Sequence, residues 1–185
     1  MTKELRFTFE EVRAVQACGV LLRAASGREN YTKLLKVLYL ADRVSLLETG
    51  QTITGATVVS MKHGPVLSEV YECIMGDPDG GFWDRYIRKL GYDMELLEDP
   101  GDDRLSDFEV NTLTGLASKY AWANYLDMIK IVHGLPEWRD PAPAKVASLP
   151  ASEILRSMGV TDDSIANQAN RVSYLDEVDK LLRPS

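Results

Sequence analysis

The chain has 185 residues, 45% of them hydrophobic and 26% charged, and a formal net charge of −7 at pH 7. A chain of this length buries about 70% of its unfolded surface around one core, and the composition is that of a folded globular protein, neither disordered nor membranous. The opening MTKELRFTFEEVR is polar and acidic, no apolar run approaches the ~20 residues of a bilayer span, and a cytoplasmic location without membrane contact is expected. The negative balance opposes the basic footprint of phosphate-neutralising proteins and argues against nucleic acid as a direct partner. Cys18 and Cys73 have no second Cys or His at ligand spacing, so buried thiols are expected rather than a disulfide or a metal site.

Thr8 and Glu11 stand at capping-box spacing, with Phe7 placed to staple onto Val12, and predict a first helix that runs to about Ser26 and stops at Gly27. A second helix reads NYTKLLKVLYLADRVSLLETG and ends at Gly50. Its apolar positions cover far more than a stripe, which makes it the expected central helix, with Lys33, Lys36 and Arg43 on its remaining polar side. TITGATVVSM is rich in β-branched residues and predicts a strand over about 56–61. Gly64 and Pro65 then fit the start of a helix that faces Val66, Val70, Cys73 and Ile74 inward and stops at Gly76.

DPDGG reads as a turn, FWDRYIRKL as either a short helix or a strand, and GYDMELLE as a strand able to pair with the one ending near Met61. Ser106 and Glu109 repeat the capping box ahead of a helix through Val110, Leu113, Ala117 and Tyr120. A further helix carries NYLDMIKIVH to Gly134 with Leu126, Ile129 and Val132 inward. DPAPAKVASLP reads as a linker. Beyond it come a short helix, ASEILRSMG, and a longer one with Ile165, Ala169, Val172, Leu175 and Val178 at helical spacing, expected to cap the core.

The fold expected is mostly α, of the α+β kind: a helical domain with a small antiparallel sheet or hairpin and a C-terminal helical extension. Neither histidine is attended by a nucleophile or a partner carboxylate in sequence. His63 reads as part of a corner, and His133 as a helix-end residue on which Trp138 packs. No phosphate-binding glycine loop, paired CxxC, HExxH or nucleophile elbow occurs, and no catalytic residue, metal or cofactor is expected.

The succession KLLKVLYLADR, then GQTITGATVVSMKHGPVLSEVYE, then LSDFEVNTLTGLASKYAWANYLDMIKIVHGLPEW resembles the Panacea domain of SocA/GepA-like antitoxins. The matching positions are Lys36, Leu38, Tyr39 and Leu40; Gly64, Pro65, Val66, Val70 and Tyr71; and His133, Pro136 and Trp138. The resemblance implies an antitoxin domain over 1–140, followed by the linker at 141–150 and an extension at 151–185. It also implies a toxin encoded by an adjacent gene as partner, neutralised by contact, and, in one branch of the family, delivery of that toxin to ClpX of a ClpXP-type protease. The aromatics Tyr39, Tyr71, Tyr86, Tyr120 and Trp138 are the expected contacts. Two other readings stand beside it: a small hydrolase or transferase acting on an anionic substrate near His63, and a DNA-binding autoregulator.

Overall fold

The computed structural model describes residues 4–76 and 81–182. The first helix, α1 (Glu11–Ala24), starts without the expected box: Glu10 occupies the N-cap with no side-chain bond, and the Glu11 carboxylate instead accepts the Trp83 amide at 3.0 Å. A tertiary donor has outcompeted the local one. α1 ends before Ser26, where Ser26 and Gly27 both take left-handed φ (59° and 91°), and a short strand, β1 (Arg28–Asn30), follows. α2 (Tyr31–Thr49) is bounded as its sequence predicts, the Asn30 side chain accepting the Thr32 and Lys33 amides and Gly50 turning left-handed at φ 76°. Every residue from Leu34 to Asp42 is buried, so α2 is the core helix on all sides, and Lys36 is buried with the rest rather than lying on a polar face.

The expected strand is β2 (Val58–Met61), but the chain does not then enter a helix. Lys62 and His63 make a turn that Gly64 completes at φ 104°, and β3 (Gly64–Leu67) returns antiparallel with Val59 opposite Val66 and Ser60 opposite Pro65. Pro65 is tolerated because β3 is an edge strand, so its missing N–H breaks no central ladder. The helix expected from Pro65 is α3 (Ser68–Met75), which leaves Val66 on the strand; Val70 and Ile74 are buried on α3 and Cys73 is half-buried. Of DPDGG, Asp77 to Gly80 lie outside the described residues. FWDRYIRKL is both of its alternatives in turn, α4 (Phe82–Tyr86) and then β4 (Ile87–Leu90). β5 (Asp93–Leu96) pairs with β4 and β1 in a sheet ordered β1-β5-β4, not with β2, because the two-residue connection of Gly91 and Tyr92 folds it straight back on β4.

α5 (Asp107–Lys119) has the expected capping box, Ser106 N–H donating to Glu109 at 2.7 Å. In α6 (Tyr125–His133) the inward pair is Met128 and Val132, and Leu126, expected inside, is exposed. The proline- and alanine-rich stretch contributes a strand, β6 (Val146–Ser148), which pairs with β2 and completes a second sheet ordered β3-β2-β6. α7 (Ala151–Ser157) and α8 (Asp162–Leu182) follow, with Ile154, Leu155, Ile165, Ala169 and Val172 buried and Leu175 exposed. The result is the expected α+β architecture: helices around α2, two small antiparallel sheets and a C-terminal helix.

Asp42 shows how α2 places the chain around it. Fully buried, it accepts the Ile53 amide at 2.8 Å, the Thr54 amide at 3.1 Å and the Thr54 hydroxyl at 2.5 Å, fixing the loop ahead of β2. Burial pushes its carboxyl up to about 6 against the opposing pull of these bonds. Asp42→Ala strands three buried donors and is expected to lower stability by about 3 kcal/mol, read from urea unfolding near neutral pH.

Candidate partner-binding site

Three of the sequence segments singled out above meet at one corner of α2. Lys36, 2% exposed, sends its amine under the β2–β3 hairpin, where Nζ donates to the Pro65 carbonyl at 2.7 Å. That is its single hydrogen bond among the described residues, and burial lowers the amine from its ordinary 10.5 to about 7. Gly64 makes the approach possible: a Cβ there would lie 2.5 Å from Val132 Cγ2 and 3.4 Å from Lys36 Nζ. Glycine is therefore required at this position twice, by its φ and by its neighbours.

His133 and Trp138 clamp the same hairpin from the other side. Their rings stack at 3.8 Å and 12°, and the Trp138 indole N–H donates to the Met61 carbonyl at 3.3 Å. His133, in the last turn of α6, carries the expected packing of Trp138. Burial lowers its pKa, and the nearby charges of Lys36 and His63 lower it further against a raising hydrogen bond to the Lys62 backbone. Its buried Nε2 has no hydrogen-bond partner among the described residues.

Between these rings the chain carries Glu137, whose buried carboxylate accepts from Tyr39 Oη (2.7 Å), from Arg43 Nε (2.6 Å) and Nη2 (3.2 Å), and from Ser157 Oγ (3.1 Å). Burial works to raise its pKa, but the bonds from Arg43 and Tyr39 outweigh that and hold it below the usual carboxylate range. The same contact, together with burial, pushes the Tyr39 hydroxyl upward. Sequence reading missed Glu137 because a single Glu between Pro136 and Trp138 carries no signal of the two helices, α2 and α7, whose side chains converge on it.

Over Lys36 opens a groove of about 530 Å³, walled by Tyr31, Leu35, Val66 and Tyr71 and crossed on its far side by residues 140–145. Its ionisable lining is Lys36, Lys62, His63 and Lys145 against Asp140. A basic groove in a chain of net charge −7 is a local inversion of the overall field. His63 and Asp140 share the groove, yet no hydrogen bond joins them among the described residues, and Asp140 instead accepts the Ala142 amide at 3.0 Å. The groove thus sets basic side chains beside apolar walls. A second cavity, about 340 Å³, adjoins Tyr39, Asp42 and Arg43, whose polar atoms are already bonded to one another's neighbours.

Of the five aromatics expected to meet a partner, Tyr39 is fully buried and presents no surface. Tyr71, Tyr86, Tyr120 and Trp138 are half-buried, and Tyr71 is the one that opens on the groove. Leu38, Leu40 and Val70 are core residues, and Pro136 is exposed in the turn after α6. Trp122, 71% exposed in the α5–α6 connection, went unnoticed because nothing in its local sequence separates an exposed tryptophan from a packed one.

The family model for the antitoxin SocA-like, Panacea domain matches residues 34–139, more than half of the 185. No curated protein and no solved structure matches significantly.

Two substitutions test the corner. Gly64→Ala is expected to destabilise by about 3 kcal/mol, measured by urea unfolding, through combined backbone strain and overpacking. Lys36→Met tests the buried amine through pH. Above about pH 7 the folded wild type holds a neutral amine while the unfolded chain still binds a proton, so wild-type stability rises with pH; below it both states are protonated and the burial cost is constant. The stability of Lys36→Met relative to wild type should therefore be flat up to about pH 7, then shift in favour of the wild type by about 1.4 kcal/mol per pH unit. Unfolding curves taken between about pH 6 and pH 9 read this difference, and parallel profiles would show that the amine does not titrate there.

Proposed function

Because the chain belongs to the SocA-like, Panacea-domain antitoxin family, we propose that it neutralises a protein toxin encoded by a neighbouring gene through direct contact, with the groove over Lys36 in the interface. The observation that carries this reading is convergence: of the residues that bear the family resemblance, Lys36, Val66 and Tyr71 line one open groove, and Gly64, Pro65, His133 and Trp138 pack on or hold the hairpin beside it. Tyr71, on the groove wall, is the aromatic best placed to meet the toxin, and Tyr86 and Tyr120 are further contacts. The role is binding rather than turnover. Delivery of the bound toxin to a ClpXP-type protease belongs to the same proposal and follows the binding step.

Co-expression is the direct test. The neighbouring gene alone should arrest growth, and this chain should restore it and co-purify with the gene product. Tyr71→Ser should weaken the rescue while leaving the unfolding midpoint close to that of wild type, since the side chain is half-buried. A harmless neighbour, or arrest that persists in the presence of this chain, would refute the assignment.

A further inference from the structure

Lys36 is unusual for a buried lysine. At 2% exposure an ammonium needs acceptors for three N–H groups and a countercharge, yet it meets one backbone carbonyl and, among the described residues, no carboxylate. Further along α2 Tyr39 and Arg43 show the alternative, because there they are answered by Glu137, a buried acid of the chain itself. At Lys36 that position is open groove. The rim adds Lys62, His63 and Lys145 against the one acid Asp140, while Tyr31, Tyr71 and Val66 supply apolar walls.

An ammonium short of acceptors at the foot of an apolar-walled, positively charged groove calls for a carboxylate on an aliphatic stem. We propose that this groove receives an aspartate or glutamate side chain of the toxin, its carboxylate seated on Lys36 and its stem against Tyr31 and Tyr71. The assignment rests on the toxin-binding reading above and adds the chemistry that binding uses. Seating the acid completes the lysine's hydrogen bonds and restores its charge in a site shielded from solvent, where such a pair is strongest. The rim steers the acid in, and a neutral side chain in its place leaves the amine unanswered. The basic groove is also the local exception that lets an acidic antitoxin accept an acidic residue of its partner.

The test uses the full chain with the product of the neighbouring gene. Lys36→Met should weaken the complex by at least about tenfold, and one Asp→Asn or Glu→Gln substitution in the toxin should weaken the wild-type complex comparably while leaving the Lys36→Met complex within about twofold. Side-chain NMR of Lys36 in the wild-type chain needs no variant. At about pH 8.5 the free chain should show a mostly neutral amine and the complex a protonated ammonium, and this measurement decides if Lys36→Met fails to fold. If the wild type binds the toxin while Lys36→Met binds equally well, or no acidic toxin residue couples to it, or the amine stays neutral in the complex, the carboxylate assignment is overturned and the antitoxin reading stands. If the wild type does not bind the toxin, the antitoxin reading falls first and takes the assignment with it.

Discussion

The structure depends on one constraint: α2 is buried on every side and yet carries Lys36, Tyr39 and Asp42 within two turns. Polar groups so placed cannot be left to water, and each must be met by chain brought to it. Asp42 takes the amides of Ile53 and Thr54, Lys36 takes the Pro65 carbonyl, and Tyr39 with Arg43 takes Glu137. Three non-helical segments are thereby pinned to one helix at successive levels. The groove is what remains between two of them, so its shape follows from the helix rather than from the loops that line it.

The helices were largely legible in the sequence. Asn30 and Gly50 mark α2 at both ends, and Ser106 with Glu109 marks the start of α5, because caps are local chemistry that survives any tertiary context. Strand partners were not legible. Gly64 and Pro65 suit the first turn of a helix as well as an edge strand, and what decides between them is the space under Gly64 taken by Val132 and Lys36, a contact across the fold. β1 is Arg-Glu-Asn, a sequence with no extended preference, and is a strand because β5 lies beside it. At the site, the family was legible from its motifs, but the burial of Lys36 and the junction at Glu137 were not. A charged residue inside an apolar run looks the same in sequence whether it reaches water or a carbonyl.

Electrostatics at the site are organised by exclusion. Burial, with Lys36 and His63 close by, lowers the pKa of His133, and the acid at Glu137 is already committed to Arg43 and Tyr39. Around α2 the buried acids Asp42 and Glu137 are thus well supplied with donors, while the amine of Lys36 has one acceptor among the described residues. Within a chain that is negative overall, this sets a short-range attraction for anionic groups against a long-range repulsion. An approaching partner feels the first only once it is within reach of the groove mouth.

The pairing of β6 with β2 bears on how this fold could be inherited or transplanted. The segment shared with the family ends at residue 139, yet the third strand of the hairpin sheet, the buried Leu149 and the Ser157 hydroxyl that answers Glu137 are all supplied later in the chain. On the other side, α1 and β1 precede residue 34. The family segment is therefore a middle without its own edges, and a chimera grafted at its boundaries would leave β2 bare along one side and a buried acid short of a donor. Recombination between relatives would preserve the grip only by carrying both flanks along with the centre.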